Sequence, residues 1–291
     1  MTFCLRRRGL TRRGLTAGTF ALLGAGAVSA RAIGENAIGA IEKRHGGRLG
    51  VFVLDTGSGR TMAYRAEERF LLCSTFKGFL AAMVLSRVDA GHDDLARLVP
   101  YGAKDLLPVS PVTGAHVKAG ALTVRTLCAA ILEVSDNAAA NLLLARVGGP
   151  SSLTAYVRGL GDRVTRFDRY ELEASERSGI LDTSTPRAIV GTVRTIILGD
   201  ALSSGSRALL EGWMVANVVG RMRLRASLPP TWMVGDRTGT ADGMCNDYAI
   251  ARLPGRAPLV MAAYYDAPGM EMASQEAVLR EVGLAIAIWA G

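Results

Sequence analysis

Hydrophobic and polar positions follow two rhythms along this chain, one typical of strands and one typical of helices. Short apolar runs at Leu49–Leu54 and Thr61–Tyr64 flank a turn-rich segment at 55–59 and predict a β-hairpin. Three more strands are predicted near the C-terminus, where Gly, Pro and Asp separate short apolar runs. Those runs are Trp232–Val234, Tyr248–Leu253 and Pro258–Tyr265.

Between the strands, apolar residues recur at the three- and four-residue spacing of helices. The predicted helices are 33–44, Phe76–Asp89, 123–132 capped by Thr123, 138–147 and 274–289. The stretch from Thr165 to Thr185 is long, charged and without periodicity, and such loops in compact domains tend to be functional or disordered.

The order of these elements predicts two lobes. Residues 31–65 and 213–291 are expected to form an α/β lobe, in which an antiparallel five-stranded sheet is flanked by helices. Residues 66–212, including the loop 165–185, are expected to form an inserted all-α lobe.

The first 30 residues have the three parts of an export signal. Arg6–Arg13 is positively charged, Leu15–Val28 is apolar, and Val28–Ala30 offers small residues for cleavage. The segment Thr11–Leu15 resembles a twin-arginine signal, although an Arg-rich Sec signal is the alternative. The apolar run is short and interrupted by glycines, which argues against a membrane anchor. We expect export to the periplasm or secretion.

Charge and cysteine usage exclude two classes of partner. The formal net charge is +8, but five arginines and no acid lie in residues 1–30, so a nucleic-acid partner is not indicated. Besides Cys4, the chain has Cys73, Cys128 and Cys245, an odd number in an exported protein. No pair has metal-ligand spacing and the three His are scattered, so neither zinc nor another cofactor is expected.

The segment Ser74-Thr75-Phe76-Lys77 is a candidate catalytic element. On a helix, residues three positions apart share a face, so the Ser hydroxyl and the Lys amine can come within hydrogen-bonding reach. A serine needs a base to become a nucleophile, and a Lys serves only if burial or nearby positive charge lowers its pKa. Alone, this pattern is common by chance, and a capping Ser with a solvated Lys is then the favoured explanation.

Three further elements each have a simple structural explanation in isolation. Ser135-Asp136-Asn137 could be a turn with a helix-capping Asp, and Arg169-Tyr170-Glu171 a solvated charge pair. Arg237-Thr238-Gly239-Thr240, following a predicted strand, could be an edge strand that breaks at Gly239.

Together, the order and separation of the four elements resemble class A serine β-lactamases and penicillin-binding proteins over nearly all of the chain after residue 30. The resemblance implies the two-lobed β-lactamase/penicillin-binding (transpeptidase-like) fold. It also implies hydrolysis of the β-lactam ring, and with it antibiotic resistance, without a metal or organic cofactor. The sequence carries no signal for the oligomeric state, so a monomer is the default expectation. The alternatives are a penicillin-binding DD-peptidase, which lacks the loop Glu, and a β-lactam sensor domain.

The resemblance implies a role for each catalytic candidate. Ser74 is similar to the acylated nucleophile and Lys77 to its proton partner. Ser135 resembles the hydroxyl that protonates the leaving lactam nitrogen. Glu171, on the omega loop 165–185, resembles the base that activates the deacylating water; whether it or Lys77 acts in acylation is disputed. Backbone N–H groups of Ser74 and Thr240 would form the oxyanion hole.

A second set of residues resembles the substrate-binding positions of the family. Their members are Asn137, Arg237, Thr238, Gly239, Thr240, Arg223 and Ser175. The cations and hydroxyls among them suit the carboxylate that β-lactams carry. Arg223 matches an arginine that some members send into the site, and a surface arginine is the alternative. Arg169 with Asp182 resembles the ion pair that closes the omega loop.

The chain also departs from the family pattern. Arg237 replaces a Lys, Ser175 stands where an Asn usually helps Glu171 hold the water, and the omega loop is shorter than usual. Cys128 matches half of a common disulfide whose partner position is Ala81 here, so that bridge is absent. Cys73 resembles a position bridged in some carbapenem-hydrolysing members; a bridge to Cys245 and free thiols both stay open.

Overall fold

The computed structural model describes residues 1–2 and 36–291. A first helix, α1, spans 36–45. The strands are β1 Arg48–Asp55, β2 Thr61–Tyr64, β3 Phe70–Leu71, β4 Leu98–Pro100, β5 Ala121–Thr123, β6 Thr183–Ser184, β7 Met233–Ala241, β8 Met244–Arg252 and β9 Leu259–Asp266. The other helices are α2 Phe76–Asp89, α3 Pro111–Ala115, α4 Val124–Glu133, α5 Asn137–Arg146, α6 Gly149–Gly159, α7 Pro186–Leu198, α8 Ser204–Val215 and α9 Met272–Ala290.

Strands from both ends of the chain form one antiparallel five-stranded sheet, as predicted. Its order is β2-β1-β9-β8-β7, so the N-terminal hairpin pairs with the last strand. Alternate residues of β1 explain why the sheet is covered on both faces. Val51 and Val53 pack into the core cluster that includes α9, whereas Phe52 packs into the cluster that includes α2.

Helix α2 lies at the centre of the helical part of the molecule. Its first ten residues are all buried, which is why the sequence there is apolar on every side rather than along one stripe. The neighbouring helices begin at side-chain caps. Thr123 Oγ1 accepts the Thr126 N–H at 3.1 Å before α4, and Asp136 Oδ1 accepts the Ala139 N–H at 2.9 Å before α5.

Two segments differ from their predicted form. The Arg237–Thr240 segment does not follow a short strand; it lies inside β7, because the ladder to β8 continues to the pair Ala241↔Met244. The loop 165–185 is also more ordered than its lack of periodicity indicated. It contains a 3₁₀ turn at Glu173–Ser175 and ends in β6, which pairs with β3 just before Ser74.

The division into lobes at 212/213 stays a prediction, and α8 runs across that position. The predicted export signal lies outside the described residues. Among the helices of residues 36–291, none combines the length and the apolar character needed to cross a membrane.

Candidate active site

Ser74 lies in a one-turn 3₁₀ helix, Cys73–Thr75, that leads directly into α2. Thr75 fixes this turn from below: its Oγ1 donates to the Leu72 carbonyl at 2.7 Å and accepts the Tyr264 hydroxyl at 3.1 Å. Tyr264 belongs to β9, so the central sheet supports the turn. The Ser74 hydroxyl stays partly exposed and donates to Glu171 Oε1 at 3.1 Å.

Lys77 is completely buried, one helical turn after Ser74. Its Nζ donates to the Ser135 carbonyl at 2.9 Å, to Ser135 Oγ at 3.2 Å and to Asn137 Oδ1 at 2.5 Å. It also lies 3.1 Å from Glu171 Oε1. The hydrogen bonds of residues 36–291 include none between Ser74 and Lys77, so the expected direct contact is replaced by a carboxylate oxygen that both side chains share.

Burial changes the proton affinity of Lys77. Loss of hydration lowers the pKa of this amine to about 8; the Glu171 carboxylate opposes the shift and the Arg237 guanidinium adds to it. An amine with this pKa is partly neutral slightly above pH 7. Lys77 can therefore accept a proton near neutral pH.

Glu171 is held over Ser74 by contacts to both its backbone and its carboxylate. Asn141 in α5 donates to the Glu171 carbonyl at 2.8 Å and accepts its N–H at 2.9 Å. Ser175 Oγ donates to Glu171 Oε2 at 3.3 Å. At the base of the loop, the predicted pair is present, with Arg169 Nε 2.6 Å from Asp182 Oδ2.

The Ser135-Asp136-Asn137 segment forms the corner between α4 and α5. Ser135 has φ of 62°, a left-handed conformation that turns its carbonyl and hydroxyl towards Lys77. Asn137 is engaged on both sides, since Oδ1 accepts from Lys77 and Nδ2 donates to the Pro108 carbonyl at 2.9 Å. Asp136 caps helix α5, as the explanation of this segment as a turn with a capping Asp predicted. Its carboxylate does not face the reactive groups of the pocket.

Strand β7 passes close to the turn that carries Ser74, and Gly239 permits this approach. A Cβ at Gly239 would lie 2.5 Å from the Leu72 carbonyl oxygen and 3.2 Å from Cys73 Cβ. No side chain fits there without moving the backbone. Thr240, the next residue in β7, is exposed.

Arg237 is fully buried and points at the Ser135 corner. Its Nη2 donates to Ser135 Oγ at 2.7 Å and its Nη1 to Thr238 Oγ1 at 3.2 Å. Burial lowers the pKa of this guanidinium to about 10, which still leaves it charged at neutral pH. Within the described chain no acid forms a direct ion pair with it, so a buried cation lies at the pocket without a contacting counter-ion, although the Glu171 and Asp236 carboxylates favour its charged form from farther away.

Arg223 is buried rather than on the surface. Its Nη1 donates to the Gly239 carbonyl at 2.9 Å and to the Asn246 carbonyl at 2.8 Å, while its Nη2 donates to Thr240 Oγ1 at 2.6 Å. One guanidinium thus ties β7 to β8 beside the pocket. It also approaches Glu276 Oε1 at 3.4 Å.

The three cysteines of residues 36–291 are free. Cys73, Cys128 and Cys245 are buried and unbridged, so of the two possibilities for Cys73 and Cys245 the structure has the free thiols. Desolvation raises the pKa of Cys245 to about 12 and that of the other two thiols further. Across residues 36–291, no three His, Cys, Asp or Glu side chains are grouped as metal ligands.

The structure brings the four catalytic candidates into one contiguous cluster, because Lys77 and Glu171 contact each other and each contacts one of the two serines. Sequence reasoning missed Asn141, which holds the Glu171 backbone. A signal existed, since Asn141 lies one helical turn after Asn137 and shares its face of α5. It also missed Asn246, whose Nδ2 donates to the Leu71 carbonyl at 2.8 Å and supports the Ser74 turn from β8.

Comparison with known proteins supports the same family. The sequence profile of the beta-lactamase enzyme family matches residues 34–289. The carbapenem-hydrolyzing beta-lactamase KPC of Klebsiella oxytoca is 46% identical over 243 residues, which is 82% of this chain and 83% of that protein. Beta-lactamase CTX-M-8 of Citrobacter amalonaticus is 40% identical over 248 residues, 84% of this chain and 85% of its own.

Solved structures agree in fold. A beta lactamase from Burkholderia vietnamiensis superposes with a TM-score of 0.88 at 56% identity, covering 88% of this chain and 96% of that one. An ancestral class A beta-lactamase of Gram-negative bacteria superposes with a TM-score of 0.86 at 49% identity, covering 89% of this chain and 100% of its own. The profile match, these identities and the shared cleft lead to one conclusion: this chain belongs to the β-lactamase enzyme family, as a class A β-lactamase.

Proposed function

We propose that the cleft hydrolyses β-lactams in two covalent steps on Ser74, with Glu171 freeing the enzyme in the second. The observation that carries this proposal is the shared carboxylate oxygen. Glu171 Oε1 lies 3.1 Å from the Ser74 hydroxyl and 3.1 Å from the Lys77 amine. A nucleophile, an amine of lowered pKa and a carboxylate in mutual contact can move a proton away from serine and later away from water.

In the first step, Ser74 Oγ attacks the lactam carbonyl carbon and its proton passes to the Lys77–Glu171 pair. The ring C–N bond then breaks, Ser135 protonates the leaving nitrogen, and the proton taken from Ser74 passes through Lys77 to Ser135. Ser135 Oγ accepts from Lys77 at 3.2 Å and from Arg237 at 2.7 Å. With both lone pairs occupied, the hydroxyl hydrogen is left to donate towards the substrate. Backbone N–H groups of Ser74 and Thr240 are the proposed oxyanion hole.

In the second step, Glu171 removes a proton from a water that attacks the Ser74 ester, which releases the ring-opened acid. Ser175 supports this role, because its hydroxyl reaches Glu171 Oε2 at 3.3 Å in place of the longer amide usual in the family. The contact between the Glu171 carboxylate and the Ser74 hydroxyl also favours a hydrolase over the two alternatives. A DD-peptidase or a β-lactam sensor lacks such a carboxylate beside its serine, so its acyl-enzyme persists.

Arg237 is the proposed partner of the substrate carboxylate. A buried cation without a counter-ion is costly to maintain, and a bound carboxylate would complete the pair. Thr238 and Thr240 add hydroxyls at the same edge of β7, and Arg223 holds the Thr240 hydroxyl at 2.6 Å. Asn137 is the proposed contact for the substrate's acylamino group, with its amide oriented by Lys77 and Pro108.

We further propose that the enzyme acts outside the cytoplasm as a monomer and protects the cell against β-lactams. Support for export comes from the Arg-rich and apolar N-terminal segment. A location outside the cytoplasm also suits the proposed activity, because β-lactams act at the cell wall.

A hydrolysis panel with a penicillin, a cephalosporin and a carbapenem tests the proposed activity. The wild-type protein is expected to open the ring of at least one of them, and Ser74→Ala is expected to lose turnover by several orders of magnitude. The loss of β-lactam absorbance measures ring opening. A Ser74→Ala variant that retains wild-type turnover would refute the assignment of the nucleophile.

A further inference from the structure

The exposed part of the omega loop, residues 176–180, directly follows Ser175 and is called the loop crest here. All five of its residues are exposed. The base of the loop is held by Arg169 with Asp182, and Glu171 by Asn141. Arg169 Nη2 also donates to the Glu176 carbonyl at 2.7 Å and Thr183 Oγ1 to the Ile180 carbonyl at 2.6 Å, so both ends of the crest are held within the loop. None of these contacts joins the crest to the five-stranded sheet, although the crest is continuous with the residue that contacts the Glu171 carboxylate.

Arg177 makes that connection. Its Nη1 and Nη2 donate to Asp266 Oδ2 and Oδ1 at 2.9 and 2.7 Å, a two-pronged pair that fixes both side chains in orientation. Asp266 is the last residue of β9. Among the hydrogen bonds and ion pairs that the structure describes, this pair is the only one that joins the crest to the five-stranded sheet.

The anchor at Asp266 is rigid and shielded. Its side chain is 12% exposed, compared with 45% for that of Arg177. Arg48 in β1 approaches the same carboxylate at 3.3 Å, donates to the Arg69 carbonyl at 3.0 Å and stacks 3.9 Å over the Phe70 ring. The carboxylate is thus held from the sheet side before Arg177 reaches it. Although burial opposes it, the hydrogen bonds from Arg177 and Arg48 hold the pKa of Asp266 below its usual value.

We propose that Arg177 is a positioning residue for deacylation, which straps the loop crest to strand β9 and so keeps Ser175 and the Glu171 carboxylate over Ser74. This inference rests on the proposed function. Arg177 acts on the part of the loop that follows Glu171. There, the only contact between the loop and the Glu171 carboxylate is the 3.3 Å hydrogen bond from Ser175. Without Arg177, the crest is held only by its bonds within the loop and can shift Ser175, whereas Ser74, Lys77 and Ser135 stay in place at the start of α2 and at the corner between α4 and α5.

The proposal has a kinetic signature that a general loss of stability does not share. In a two-step acyl-enzyme mechanism, kcat/KM depends only on steps up to acylation, whereas slow deacylation lowers kcat and KM together. For Arg177→Met with benzylpenicillin, we expect kcat and KM each to fall about fivefold while kcat/KM is unchanged. The fraction of acyl-enzyme at steady state, measured by rapid quench and intact mass, should rise.

Matched variants separate the strap from other effects. Arg163→Met removes an exposed arginine just before the loop that forms no ion pair with another described residue, so its kinetics should match the wild type. Arg177→Lys should restore part of kcat. Asp266→Asn should reproduce the effect, and the double variant Arg177→Met/Asp266→Asn should be no slower than either single one.

Two results would overturn the strap. One is an Arg177→Met enzyme with wild-type kcat and KM; the other is a fall in kcat/KM equal to that in kcat, which would place the effect before deacylation. Glu171→Gln measured alongside distinguishes the strap from the wider mechanism. If Glu171→Gln traps the acyl-enzyme and Arg177→Met does not, only the strap fails; if Glu171→Gln also turns over normally, the proposed function fails.

Discussion

At the scale of single residues, one oxygen atom organises the chemistry. Glu171 Oε1 contacts both the Ser74 hydroxyl and the Lys77 amine. The protonation state of the amine therefore determines how strongly the carboxylate attracts the proton of the serine hydroxyl. The sequence identified all three side chains by type and order. It could not show that they meet through the carboxylate, because Glu171 lies 97 positions from Ser74 and its placement depends on Asn141.

The pH dependence of acylation tests the role of Lys77. Its pKa is lowered to about 8, so the amine is protonated below that pH and neutral above it. If neutral Lys77 receives the serine proton, kcat/KM should rise with pH and level off above about pH 8. Initial rates with a penicillin from pH 5.5 to 9.5 measure this, with enzyme stability checked at each pH.

Arg237→Gln provides the matched variant for that profile. Removing a positive charge that lowers the pKa of Lys77 should move the rising limb to higher pH, in addition to weakening substrate binding. A kcat/KM profile that is flat from pH 6 to 9 would contradict the role of Lys77 as base and would favour Glu171.

At the scale of elements, Asp136 locks the corner that positions Ser135 and Asn137. Its buried carboxylate accepts N–H groups of Val112 and Thr113 at 2.9 Å each, from α3, and caps α5 through Ala139 at 2.9 Å. The sequence predicted the cap, since Asp before a helix is a strong local signal. It could not predict the bonds to α3, which join residues more than 20 positions apart.

Asp136→Ala should therefore destabilise the protein strongly. The change leaves three N–H groups, two of them buried, and the Thr113 hydroxyl without their acceptor, which should lower the free energy of unfolding by about 3 kcal/mol. Urea unfolding followed by circular dichroism measures this.

Asp94→Ala is the control for Asp136→Ala, because Asp94 is exposed and its carboxylate accepts one N–H, from Ala96 at 2.8 Å. Its effect should stay within about 0.5 kcal/mol. Equal losses of unfolding free energy in the two variants would mean that Asp136 stabilises the protein no more than an acid in an exposed turn does.

At the scale of the whole molecule, the sheet joins chain ends that the sequence could only suggest belong together. Strand existence followed from apolar runs, but the order β2-β1-β9-β8-β7 depends on pairings between β1 and β9, which start more than 200 positions apart. The extension of β7 through Arg237–Thr240 was also missed, because Gly and Thr after a charged residue give no apolar alternation. Pairing with β8 overrides that local signal.

The fold carries its stability without a disulfide between described residues. In protein lacking residues 1–30, three thiols should react with Ellman's reagent in denaturant without reductant, and none within minutes in the folded state, because Cys73, Cys128 and Cys245 are buried with raised pKa values. A count of one thiol in denaturant would show that a bridge forms and that the free-thiol arrangement is wrong.

The central claim is that Glu171 releases the acyl group from Ser74, and intact-mass measurement of Glu171→Gln with benzylpenicillin tests it most directly. The variant should gain the mass of one benzylpenicillin and keep it for minutes to hours, because Ser74 still acylates while no carboxylate activates water. Glu173→Gln, which changes an exposed acid two positions away, should turn over like the wild type and show no lasting adduct. A Glu171→Gln enzyme that hydrolyses benzylpenicillin at the wild-type rate without accumulating an adduct would contradict the account.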